Sequence, residues 1–358
     1  MYTEADIDAA VAAGALTPDG AAGLRRHVAG ETFSPAVDEE HFRLLTGFND
    51  IFVAIAAVLL LSALAWIGAS FGDIERGPPS PAGPIMVAAA AWGLAEFFTK
   101  RRRMALPSIV LLLAFVGSIF ATCGLIVAQI VPQERFENNE PLIALVLGGS
   151  AAAAAAGAWL HWRRFRVPIT VAAGVVAVVG SVIGLSLSAV SEPEALLLPL
   201  LFAGGVALFA LAMWWDMSDR ERLTRRSDVA FWLHLAAAPM IAHSVFNGLG
   251  VFDGRIDAGT AFGVIALYIL FAIVALAIDR RALLVSSLVY VLYAMRSLFA
   301  EFGAIELNVA LTGLVIGSAL LMLSAFWTQT RRAILGPLPE TFRARLAPID
   351  RVAVARPA

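Results

Sequence analysis

Residues 48–71 read FNDIFVAIAAVLLLSALAWIGASF, in which Asn49 and Asp50 precede an uncharged stretch running from Ile51 to Phe71. About 20 apolar residues, rising ~1.5 Å each as a helix, match the ~30 Å hydrocarbon core of a bilayer. In that medium every backbone amide and carbonyl must be satisfied within the chain, so the stretch predicts a transmembrane helix. Runs of the same kind recur at 84–99, 105–131, 141–162, 167–190, 195–215, 229–249, 258–278, 282–300 and 305–327. The run at 84–99 is the shortest. Those at 105–131, 141–162 and 167–190 are long enough to tilt, and Pro107 and Pro168 fall at helix starts, where a missing amide proton costs nothing.

Composition agrees. The 358 residues are 59% apolar and 15% charged, with a mean hydropathy of +0.80, which places the chain in the membrane class and not among multidomain soluble proteins. The formal net charge of −2 gives no footprint for nucleic acid, which is excluded as a partner; membrane lipid is the expected one. Cys123, the single cysteine, lies within an apolar run and can form neither an internal disulfide nor a Cys-rich metal site. Lys100 is the one lysine among 26 basic residues, a bias that suggests a GC-rich bacterial origin.

The basic residues test the number of spans. Cytoplasmic segments carry the excess of Lys and Arg. With ten helices and the N-terminus inside, 22 basic residues fall on the inner side, 3 on the outer side, and Arg296 within a helix. A missed or extra helix would scramble that alternation downstream. The outer loops are short and acidic (Asp73, Glu75, Glu134, Glu137, Glu192, Asp253, Asp257). The expected fold is therefore all-α, a polytopic membrane helix bundle of about ten transmembrane helices with both ends in the cytoplasm, placed in a bacterial inner membrane.

Three regions are expected: a cytoplasmic helical hairpin and approach segment at 1–47, the transmembrane bundle at 48–327, and a cytoplasmic Arg/Pro-containing tail at 328–358. In the first region Thr3 can cap a helix through Ile7, Ala10 and Val11 that stops at Gly14. Thr17 with Pro18 then starts a second helix carrying Leu24 and Val28 on one face. These residues lack a basic n-region and a small-residue cleavage site, so no cleavable signal peptide is expected. The hairpin is a possible docking point for a cytoplasmic protein partner.

Arg-Arg pairs at 102, 163, 225 and 280 recur at spacings of 61, 62 and 55, and two of them share the form Arg-Arg-x-x-x-Pro. Duplicated helical hairpins would give this pattern. So would the insertion rule that puts arginines in every inner loop.

Ionisable groups inside a membrane helix are costly and point to function. The run 229–249 holds Trp232, His234, Pro239, His243 and Asn247, and Pro239 predicts a kink. His234 and His243, nine residues apart, fall on opposite faces, whereas His243 and Asn247 share one. Two ligands are too few for zinc, so neither a metal nor a cofactor is expected. Arg296 and His243 each lie about 14 residues from the inner start of their helices, hence at similar depth, ~21 Å in. His243, Asn247 and Arg296 are thus candidates to line one polar pocket beside Pro239. The alternative is that Arg296 snorkels outward or pairs with Glu301 or Glu306, while His243 makes an interhelical hydrogen bond. Glu96 is expected to pair with Lys100 at i, i+4, and His161, between Trp159 and Trp162, to join an interfacial aromatic belt. Gly180-x-x-x-Gly184, Gly313-x-x-x-Gly317 and the Ala151–Gly157 run read as close-packing faces.

No catalytic residues are expected. Gly68-Ala69-Ser70-Phe71-Gly72 has the nucleophile-elbow spacing but ends a membrane helix instead of following a strand. Asp73-x-Glu75 is similar to acidic loops of lipid-linked sugar transferases, but the other outer loops are too short to hold a donor and an acceptor.

The N-terminal pattern Ile7-Asp8-x-Ala10-Val11-x-x-Gly14-x-Leu16-Thr17-Pro18, followed by Ala/Leu/Val/Gly membrane helices, resembles a family of uncharacterised bacterial multi-pass predicted membrane proteins with a short N-terminal cytosolic hairpin. That resemblance implies no activity. Two halves of five spans each are also similar in layout to drug/metabolite-type permeases, from which the 47-residue tail departs. Two functions follow as expectations: a transporter-like permease for a small solute, or a non-transporting membrane scaffold or envelope-associated protein that recruits partners through its cytoplasmic tails.

Overall fold

The computed structural model describes residues 7, 10–31, 48–72, 77–137, 139–190, 192–222, 224–251, 257–301 and 308–348. Among these residues the regular structure is entirely helical. The elements are α1 (Pro18–Glu31), α2 (Phe48–Ala69), α3 (Ala82–Ala95, prolonged by a π-helical turn at Glu96–Arg101), α4 (Ala105–Ile130), α5 (Glu140–Phe165), α6 (Ile169–Ser188), α7 (Pro193–Ser218), α8 (Arg225–Gly248), α9 (Ala258–Ile278), α10 (Ala282–Glu301), α11 (Asn308–Ala325), α12 (Trp327–Leu335) and α13 (Glu340–Arg343). Nine of these, α2 through α10, are each long and apolar enough to cross a membrane within the described residues. The tenth expected span, 305–327, falls on α11, which is long and apolar enough to cross only when taken together with α12, from which it is bent by 76° at Phe326. The chain is a polytopic membrane helix bundle.

Local signals account for the boundaries. Gly14 at φ +72 closes the first turn of the N-terminal segment, where the Ala15 amide reaches back to the Ala10 carbonyl at 2.9 Å. Thr17 Oγ1 accepts from the Gly20 amide at 3.1 Å and starts α1. Asn139 caps α5 through Leu142, and Asp257 caps α9 through Thr260 at 2.7 Å. That bond from the Thr260 amide holds the Asp257 carboxyl below the usual carboxylate range.

Four antiparallel hairpins, α3–α4, α5–α6, α7–α8 and α9–α10, supply much of the helix packing. All four turn at the arginine-rich end, and each turn contains a non-glycine residue in the left-handed region: Arg103, Arg166, Arg222 and Asp279, with φ between 54° and 59°. An L-residue there costs about 1–2 kcal/mol, which the packed hairpins must overcome. The left-handed residue precedes Pro107 by four positions but Pro168 by two. The recurrence therefore lies in the hairpins themselves and not in a fixed register of the Arg-Arg-x-x-x-Pro pattern.

Within α5–α6 the backbones touch at glycine: a Cβ on Gly184 would lie 2.6 Å from Gly148 Cα. Between α2 and α3 a Cβ on Gly68 would lie 2.4 Å from Gly83 Cα. Gly180 and Gly184 thus pack as expected, whereas Gly313 and Gly317 on α11 meet nothing within 4 Å. The outward faces carry large apolar side chains such as Phe52, Leu59, Trp66, Phe262 and Leu321, as lipid exposure requires. The largest core joins α8, α9, α10 and α11 around Phe246, Val264, Phe271 and Tyr290.

Residues 327–348 return to the arginine-rich end. Trp327, Arg331 and Leu335, one face of α12, are buried. The first residues of the segment expected as a tail thus pack on the bundle through this face of α12, whereas residues 339–345 are exposed.

Candidate functional site

The last turn of α7 carries Asp216, and its carboxylate points into the bundle. Arg280, in the α9–α10 turn, donates from Nη2 to Oδ1 at 2.6 Å and from Nε to Oδ2 at 3.2 Å. His234 of α8 donates from Nε2 to Oδ2 at 2.9 Å. Arg280 also reaches the Ser227 carbonyl at 3.1 Å, and the His234 ring stands edge-on to Phe209 at 5.2 Å between centroids. His234 is 2% exposed and Arg280 3%. One anion, one cation and one imidazole from separate parts of the chain are held together almost dry, the arrangement in which a buried charge is tolerated.

A second layer lies at the same end. Asp279, the left-handed residue after α9, accepts from Trp327 Nε1 at 2.9 Å and faces Arg222 Nη1 at 3.2 Å. Arg222 also donates to the carbonyls of Ile278 and Asp279. Arg331 of α12 donates to Leu276 O at 3.0 Å, and its other nitrogens reach Ala347 O and Pro348 O at 2.6 and 3.1 Å. Arg220 holds the Leu346 carbonyl at 3.0 Å. A cavity of about 10 Å³, room for a single water, lies between Asp216, Met213, Arg222 and Ile278 on the bundle side and Arg345, Leu346 and Ala347 on the other.

The residues expected to form a polar pocket lie toward the opposite end of α8 and α10. His243 is half-buried, and its Nδ1 lies 3.0 Å from the Tyr290 hydroxyl of α10. Tyr290 in turn stacks on Phe246 at 4.5 Å. Asn247 is half-buried one turn further along, and Arg296 is exposed. α8 continues as one helix through Pro239. His234 and His243 meet different neighbours, α7 and α10, as their spacing implies. Glu301 and Glu306, the partners considered for Arg296, have side chains outside the described residues.

No family model, curated protein or solved structure matches this chain.

The first half holds a smaller polar cluster. Glu96 makes a two-pronged bond to Arg164 of α5, at 2.6 and 2.8 Å, with Lys100 only at 4.0 Å. The expected i, i+4 pair is therefore secondary to an interhelical one. His161 does not join an interfacial belt. It is 1% exposed, boxed by Trp92, Phe115 and Phe165, and bonded through Nδ1 to Thr170 at 3.3 Å. Its Nε2 is buried with no hydrogen-bond partner among the described residues. Ser70, of the elbow-like spacing, donates to its own helix at Ile67 O, 2.7 Å away. Asp73 and Glu75 lie outside the described residues.

Sequence reasoning missed Asp216, Arg280, Arg222, Asp279 and Arg331, because each sits just past the end of an apolar run, where a charge looks solvated. The available signal was Asp216 directly after Trp214-Trp215, with His234 about two turns into the next span.

Proposed function

We propose that this chain is a permease-like carrier for a small solute in a bacterial inner membrane, closed at its arginine-rich end by the Asp216–His234–Arg280 triad. The observation that carries the reading is the triad itself. Charges drawn from α7, α8 and the α9–α10 turn are expensive inside a bundle, and in this reading their release is the step that lets the α9–α10 turn move away from the end of α7. The reading assigns the solute path toward the acidic end to His243, Asn247 and Arg296, and what supports it there is the polar contact of His243 with the Tyr290 hydroxyl. The sequence pattern from Ile7 to Pro18 supports membership in the uncharacterised family of multi-pass proteins that it resembles.

The test is osmotic swelling of proteoliposomes in glycerol, alanine and glucose. Swelling faster than in protein-free vesicles for one of these solutes, and slowed by Arg296→Ala, supports the carrier. Rates equal to those of protein-free vesicles for all three would sink it.

A second reading is favoured by the completeness of the same network: a triad with its partners in place also serves as a static brace. In that case the protein is a membrane scaffold that binds a cytoplasmic partner through residues 1–47. Loss of a co-purifying protein on deletion of 1–47, with swelling at the protein-free rate, would establish it.

A further inference from the structure

We propose that residues 336–348 are a detachable strap that seals the arginine-rich mouth of the bundle and controls the access of water to Asp216. The segment begins at Gly336, where α12 ends, and contains the single turn α13. It has little apolar anchorage of its own: residues 340–345, Phe342 among them, are exposed. What fixes its far end is three backbone carbonyls gripped by arginine. Leu346 O is held by Arg220, Ala347 O and Pro348 O by Arg331. Arg331 is itself 3% exposed and locked to Leu276 O of α9.

The far end of the strap lies across the cavity whose floor includes Asp216. Arg345, Leu346 and Ala347 supply one wall, and the bundle supplies the rest. With the strap in place the cavity of about 10 Å³ admits one water; with it removed, one wall is gone and the carboxylate faces the aqueous phase. A segment held by a few charge-assisted bonds at one end, with an exposed middle, opens at far lower cost than a helix packed in the bundle. The strap stands whether or not a solute crosses, because it concerns solvent access alone.

The experiment uses the full chain with Cys123→Ser and one reporter, Met213→Cys, which lines the cavity. In lipid nanodiscs the rate of modification by a small, charged methanethiosulfonate is measured with and without residues 339–358. Arg225→Cys, exposed at the same end, is the reactive control. The expected result is slow labelling of Met213→Cys in the full chain and labelling at least about tenfold faster after the deletion, the change that loss of one charge-assisted hydrogen bond already brings. Equal rates with and without the segment overturn the strap. If the shortened chain is not monodisperse, Arg331→Gln in the full-length protein decides in its place: acceleration supports the seal, and an unchanged rate refutes it. Failure of solute transport leaves these rates untouched, so the strap and the carrier stand or fall separately.

Discussion

Arg280 grips both carboxylate oxygens of Asp216, so the turn between α9 and α10 is tied to the end of α7, more than sixty residues earlier in the chain. His234 completes the arrangement from α8. Removing one partner strands the others. Asp216→Asn is expected to lower stability by about 3–5 kcal/mol, read as chemical unfolding in mixed micelles. The combined Asp216→Leu, His234→Leu, Arg280→Met variant, in which the charges leave together, should recover most of that loss. A loss that grows with each substitution would show that packing, not charge, is what the triad supplies.

Gly184 and Gly148 set the spacing of α5 and α6. Gly184→Val forces the backbones apart and is expected to cost about 1–3 kcal/mol or more. Gly317→Ala, on an open face of α11, should be neutral or slightly stabilising, since glycine is the poorer helix former by about 1 kcal/mol in soluble helices. Melting temperatures of the two variants in one detergent make the comparison, and equal shifts would contradict the close approach.

The buried Nε2 of His161 has no hydrogen-bond partner among the described residues, within a box of Trp92, Phe115 and Phe165. An orphaned buried donor costs about 1–3 kcal/mol. His161→Phe combined with Thr170→Val keeps the ring and removes both the orphaned nitrogen and the hydroxyl that bonds the other one, and should match or exceed the native stability by about 1 kcal/mol. His161→Ala opens a cavity and should lose about 3 kcal/mol. Thermal unfolding that ranked alanine above phenylalanine would point to an unseen partner for the imidazole.

Trp327 donates from its indole to Asp279, which occupies the left-handed turn position after α9. Trp327→Phe retains the buried ring and drops the bond, at an expected cost of about 1.5–3 kcal/mol. The loss should also loosen α12, seen as faster amide exchange over 327–335. Exchange that stays unchanged would mean that α12 docks through Leu335 and Arg331 alone.

The hydropathy of the runs determined the helical bundle and the existence of nearly every span. In lipid the backbone has no other partner, so about 20 apolar residues become helix whatever their neighbours are. The helix start at Thr17 was legible because a cap acts within a few residues of itself, and Gly184 was legible as a close-packing position from its small-residue spacing, though not the glycine it meets. The partners of Asp216, Glu96 and His161 were not. A charge near the end of a span is solvated, interfacial or buried according to which turn or helix end lies beside it, and those neighbours come from remote parts of the chain. The 76° break after Ala325, which folds α12 under the bundle and brings Arg331 to Ala347 and Pro348, likewise depends on where Leu276 and Asp279 stand in space. Periodicity within one run carries no information about that place; only the packing of the hairpins against one another decides it.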